Sequence, residues 1–177
     1  LTTDVGRLYR AKQQGLTQAI PSSDAIATLP FNLLDEQGHW LGLSMRARPL
    51  MVSLEKVDEN TIANLEDLID PQWKGRVCIR SSNNIYNQSM VASLIAQLGE
   101  TDDQEWVNGL VKNFARPPQG GDTDQIKAVA AGLCDVAIAN TYYLAGMLSS
   151  KDETTRQQAK KIKVIWPNQA DRGAHIN

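Results

Sequence analysis

The stretch "ARPPQGGDTDQIKAVAAGLCDVAIANTYYLAGMLSS", residues 115–150, fixes the class of fold. "ARPPQGGD" is the clearest breaker in the chain, with paired prolines followed by paired glycines. "TDQIKAVAAG" then reads as a helix that stops at Gly132, "CDVAIA" as a buried strand, and "TYYLAGMLSS" as a second helix. A helix, a strand and a helix in immediate succession are the repeating unit of an α/β protein with a mostly parallel, doubly wound sheet covered on both faces.

The same unit recurs upstream. "RVCIR" (76–80) is a β-rich run, "SSNN" (81–84) a polar loop, and "IYNQSMVASLIAQLG" carries Val91, Leu94, Ile95 and Leu98 at helical spacing. "TDDQEWVNGLVKNF" follows as a helix with Thr101 and Gln104 in capping-box positions and Trp106, Leu110 and Phe114 along one face. Downstream, "DETTRQQAKK" is a solvated charged helix and "IKVIWP" a final strand. Nearer the start, Asp4 to Gly15 predicts a short helix with Val5 and Leu8 on its buried face. A loop-rich stretch then leads to two short strand candidates, "HWLGLSM" and "RPLMVSL". Pro49 suits an edge or crossing segment better than a central strand, and "NLEDLIDPQWKG" predicts a short helix stopped by Pro71.

The chain has 177 residues, 42% of them hydrophobic and 21% charged, enough for one core or two modest lobes. Its net charge of −2 and its scattered Lys and Arg give no basic stripe for a nucleic-acid backbone. No apolar run approaches the roughly 20 residues of a spanning helix. There is neither an initiator Met nor a signal peptide, and from its ends the chain is expected to be the middle of a longer protein. Cys78 and Cys134 are too few for a disulfide scaffold or a zinc site. Each lies in or beside a predicted strand, so they are either two buried thiols or, if those strands are neighbours, a bridge pointing to an oxidising compartment.

In open α/β sheets ligands gather beyond the carboxyl ends of the strands, where helix N-termini point. Tyr86 follows the strand "RVCIR", and Tyr142 and Tyr143 follow "CDVAIA", so three of the four tyrosines stand at equivalent places after two strands. If those strands are adjacent, the phenols converge. The positive end of a helix dipole favours an anion, yet a phenol with a pKa of about 10 needs more than a dipole to ionise near neutral pH. A highly charged cation would supply it, and three hard phenolates balance one Fe3+. The residues alone leave other readings open: half-buried packing tyrosines with wet hydroxyls, or a cleft for another small ligand in which "SSNN" is an anion-binding loop.

"RVCIRSSNNIYNQS", the stretch from "FARPPQGGD" to "NTYYLAG" and the ending "PNQADRGAHIN" together resemble the ferric-iron-binding proteins of bacterial ABC importers, a branch of the type II periplasmic binding proteins. The resemblance runs over essentially the whole chain, and the tyrosine pair preceded by "AN" is its most distinctive element. It implies two α/β lobes, the first incomplete here: residues 1–47 in the first lobe, 48–172 in the second, and 173–177 crossing back. It implies Tyr86, Tyr142 and Tyr143 as phenolate ligands of Fe3+ in a cleft between lobes, with further ligands from a region preceding Leu1. Because six-coordinate Fe3+ needs about three more donors, Arg46 or Arg80 is a candidate to hold carbonate or another synergistic anion; a solvated or structural ion pair is the plainer role for each.

The implied protein is a monomeric solute-binding protein, not an enzyme, that delivers ferric iron to a membrane permease from the periplasm or from an anchor outside the cytoplasmic membrane. A binding protein of the same fold for an organic anion, phosphonate or polyamine is the alternative. No nucleophile with a neighbouring base is suggested by the residues. His39, in the turn "DEQGHW", and His175, in the return segment, are expected to be structural rather than ligands, and Tyr9 a surface or packing residue. Trp73, Trp106 and Trp166 are expected to be core or surface anchors.

Overall fold

The computed structural model describes residues 3–21 and 23–176. It divides into two compact units, one ending at Met45 and one running from Arg46 to Ile176.

In the smaller unit Asp4 caps helix α1 (Val5–Gln13), its carboxylate accepting from the Gly6 amide at 3.1 Å. A one-turn helix, α2 (Asp24–Ala27), follows behind the Ser23 cap. The segment around "DEQGHW" closes a tight turn in which the Gly38 amide donates to the Asp35 carbonyl at 2.8 Å and Gly38 takes a φ of 75°. Lys12 reaches from α1 to Asp35 at 2.7 Å and holds its carboxyl below the usual carboxylate range. Thr17 Oγ1 meets His39 Nδ1 at 2.9 Å, which gives that histidine a structural partner. The predicted strand "HWLGLSM" does not form: a single bridge joins Leu34 to Leu41, and Leu43 and Met45 are exposed. The Gly42 amide donates to the Leu33 carbonyl at 2.7 Å and the Asp35 amide to the Trp40 carbonyl at 3.1 Å, but pairing goes no further than this one bridge among the described residues, too short for a strand.

The larger unit opens with β1 (Ala47–Arg48) and β2 (Leu50–Ser53). Two 3-10 turns, Leu65–Ile69 and Pro71–Trp73, replace the single short helix expected there; the carboxylate of Asp70, between them, accepts from the Gln72 amide at 2.8 Å and restarts the chain at Pro71. Then come β3 (Val77–Cys78), α3 (Ile85–Leu98), α4 (Glu100–Lys112), α5 (Asp122–Ala130), β4 (Val136–Ile138), α6 (Thr141–Leu148), α7 (Glu153–Ala159), β5 (Ile162–Ile165) and β6 (His175–Ile176). Helix α4 starts two residues earlier than a Thr101 cap requires, because Gly99, with a φ of 89°, ends α3 and begins α4 in one step.

The main sheet has the order β3-β4-β2-β5. β3 and β4 are parallel, while β2 runs antiparallel to both β4 and β5, so three strands share one direction and the fourth is threaded between them. Pro49 therefore precedes an interior strand and not an edge. Its missing N–H falls just outside the ladder, where its carbonyl still accepts from Ala139 at 3.4 Å.

Alternation along the strands covers both faces. Leu50, Val52, Val77, Val136 and Ile138 pack beneath α3, α4 and the 3-10 turns with Trp73, Met90, Leu94 and Trp106. Met51, Cys78 and Ala137 face the other way, against Ile126 and Val129 of α5, Leu144 and Met147 of α6, and Ala159 of α7. Cys78 and Cys134 are bridged and buried in this second layer, as adjacency of β3 and β4 allows. Trp166, by contrast with Trp73 and Trp106, is half exposed.

Candidate functional site

The parallel pairing of β3 with β4 brings the two strand-to-helix turns side by side. Asn84 caps α3 and accepts from the Tyr86 amide at 2.9 Å, which fixes Tyr86 in the first turn. Asn140 precedes α6 in extended conformation, and Tyr142 and Tyr143 occupy its first turn. The three phenols meet: Tyr142 Oη donates to Tyr86 Oη at 3.1 Å, and the rings of Tyr142 and Tyr143 lie 4.3 Å apart at 32°. Convergence of tyrosines from two different helices is what the repeated strand–helix unit requires once its strands are neighbours.

The helix N-terminus does not make Tyr142 acidic. Partial burial pushes its pKa well above that of a free phenol, and hydrogen bonds with Tyr143 and Tyr86 push the same way.

Beneath the phenols lies a buried polar network that sequence reasoning missed. Arg48, 1% exposed, sends Nη1 to Asp122 Oδ2 at 2.8 Å and to Asn140 Oδ1 at 3.2 Å, and Nη2 to Asn87 Oδ1 at 2.6 Å. Burial lowers its pKa, and the Asp122 carboxylate opposes that effect. Asp122, at the first turn of α5, also accepts from Arg80 Nη1 at 3.1 Å and from the Asn140 amide at 2.7 Å. The Arg48 and Arg80 guanidinium carbons stand 5.9 and 5.5 Å from the centre of the Tyr86 ring. One local signal could have found Arg48: a charged residue leading directly into the apolar run "PLMV" needs a buried partner.

Of the two arginines singled out from sequence, Arg80 lies in this network and is ion-paired, while Arg46 is half-buried two residues before Arg48 and has no hydrogen bond to the tyrosines among the described residues. His175 sits in β6, opposite Arg48 in the β1 register, with Nε2 at 3.1 Å from Ser89 Oγ. Tyr9 is exposed on α1. No group of three or more His, Cys, Asp or Glu that could hold a metal occurs among the described residues.

Residues 2–174 match the family described as bacterial extracellular solute-binding protein. Iron uptake protein A1 of Synechocystis sp. is 45% identical over 177 residues, all of this chain but 49% of that protein, and the A2 protein of the same organism is 43% identical over 178 residues, 99% of this chain and 51% of that protein. Among solved structures, a Trichodesmium FutA in complex with iron and citrate superposes with a TM-score of 0.94 at 47% identity, covering 98% of this chain and 55% of that one. The ferric binding protein of Campylobacter jejuni also superposes with a TM-score of 0.94, at 33% identity and with the same coverage. The chain spans about half the length of the curated relatives it matches.

Proposed function

The chain belongs to the bacterial extracellular solute-binding proteins, and we propose that it captures ferric iron with the phenolates of Tyr86, Tyr142 and Tyr143 for delivery to an ABC permease. The observation that carries this reading is the contact of Tyr142 with Tyr86, which gathers phenols from two helices at the carboxyl end of parallel strands. Three phenolates neutralise Fe3+ and suit its hardness. Relatives named for iron uptake, and an iron-and-citrate complex among the superposing structures, support the same cargo.

The site holds and releases the ion without transforming it. Capture requires the three phenols to lose their protons to solvent as the cation replaces them. Donors beyond the phenolates come from water, an anion or other parts of the full protein; Arg46 or Arg80 is the candidate to retain a carbonate-like anion, although a structural ion pair, such as that of Arg80 with Asp122, is the plainer role. Residues 1–47 are read as part of one lobe, 48–172 as the second, and 173–177 as the segment crossing back. The buried Cys78–Cys134 bridge supports residence outside the cytoplasmic membrane, where disulfides persist.

Titration with weakly chelated Fe3+ tests the reading. A visible phenolate-to-iron charge-transfer band is expected, lost in Tyr142→Phe and Tyr143→Phe. A folded protein that binds an organic anion, phosphonate or polyamine but develops no band would overturn it.

A further inference from the structure

We propose that Arg48 is a positioning residue: its buried guanidinium clamps the two tyrosine-bearing helix starts to each other and so sets the mutual geometry of the three phenols. Arg48 touches no part of the presumed ion site through a donor atom of its own. Its two terminal nitrogens diverge instead. Nη2 takes Asn87, the residue after Tyr86, at 2.6 Å, and Nη1 takes Asn140, the residue before α6, at 3.2 Å. Each asparagine passes the constraint on to its own turn. Asn87 Nδ2 donates to the Arg80 carbonyl at 2.8 Å, closing the loop that delivers Tyr86. The Asn140 amide donates to Asp122 at 2.7 Å, the carboxylate that Arg48 itself holds at 2.8 Å.

The planar fork is the chemical requirement. A guanidinium presents several donors in fixed directions, whereas an ammonium is a point charge on a flexible stem. A clamp that must hold Asn87 on one side and Asn140 and Asp122 on the other at fixed angles therefore calls for arginine, and lysine in its place keeps the charge while losing the geometry. Complete burial of both Arg48 and Asp122, each with a side-chain exposure of 0%, keeps water from substituting for any of these bonds. Donation from Arg48 Nη2 to the Ile138 carbonyl at 3.4 Å adds the end of β4, so four segments converge on one side chain.

The inference rests on the ferric reading for its consequence but not for its geometry, and the experiment separates the two. Hydrogen exchange is measured on the metal-free protein for the first turns of α3 and α6, in the wild type and in Arg48→Lys, Arg48→Met and Asn87→Ala. Exchange is expected to rise at least tenfold in both first turns in the Lys and Met variants, with α4 and α7 unchanged. In Asn87→Ala it is expected to rise in α3 alone. The second readout is the ferric charge-transfer band, which is expected to shift and weaken equally in the Lys and Met variants, with at least tenfold faster iron release.

Absence of the band in the wild type would sink the ferric reading and leave the exchange result to decide the clamp. Unchanged exchange in both turns, or full rescue by Arg48→Lys, would overturn the clamp, since charge alone would then suffice. If the Arg48 variants do not fold, Asn87→Ala decides: protection in the first turn of α3 equal to the wild type overturns the proposal.

Discussion

Tyr142 holds its proton more tightly than a free phenol does, because burial and its two phenol neighbours all oppose the anion. If the phenolates hold the ion as proposed, Tyr142 gives up this tightly held proton on capture, and the sign of the pH dependence follows. On the ferric reading, lower pH favours protonated Tyr142, so iron binding is expected to weaken as pH falls and to tighten as it rises. Release of about three protons per ferric ion is expected at pH 7, measured in weakly buffered solution and corrected for the chelator, falling to about two in Tyr142→Phe. Retention of three in the variant would show that Tyr142 is not a ligand. These tyrosines were legible in the sequence because a local pattern, strand then helix, repeats with a phenol in the same place each time. The run "PLMV" after Arg48 hints at its burial but not at its partners: Asn87, Asp122 and Asn140 lie 39, 74 and 92 residues away, and no local spacing encodes them.

Elements pack here by close approach as much as by apolar patterning. Helix α4 crosses the 3-10 turn Leu65–Ile69 at Gly109, where a Cβ would fall 2.7 Å from Ile69 Cβ. Gly109→Ala is expected to destabilise the protein by about 1–3 kcal/mol in urea unfolding, although alanine improves helix propensity by about 1 kcal/mol. Ile69→Gly in the same chain removes the Cβ that the introduced methyl would strike and should recover part of that loss, whereas Ile69→Ala, which keeps that Cβ, should not; no recovery in the glycine variant would mean that the close approach is not the cause. The periodicity of α3, α5 and α6 and the apolar runs of β3 and β4 were readable because each buries a face dictated by its own residues. Direction and neighbourhood were not. "RPLMVSL" does not reveal that it threads antiparallel between β4 and β5, and "HWLGLSM" does not reveal that its pairing stops at one bridge among the described residues. Both facts belong to the sheet rather than to the segment.

For the molecule as a whole, the Cys78–Cys134 bridge closes a loop with a sequence separation of 56. Replacing both cysteines by serine is expected to remove about 4 kcal/mol of stability on the chain-entropy estimate, read as a lower urea midpoint. A variant with an unchanged midpoint would mean that packing between the two cores already restrains this loop. The short ladder of β1 with β6 carries a different kind of consequence. It pairs Arg48 with His175, joining the point where the chain enters the larger unit to the point where it leaves. Such a pair cannot zip early, since the entropy of closing so long a segment must first be offset by everything inside it. Its formation is thus a late event in the life of the nascent chain, and a tug on the two ends would part those two strands before disturbing the sheet that carries the tyrosines.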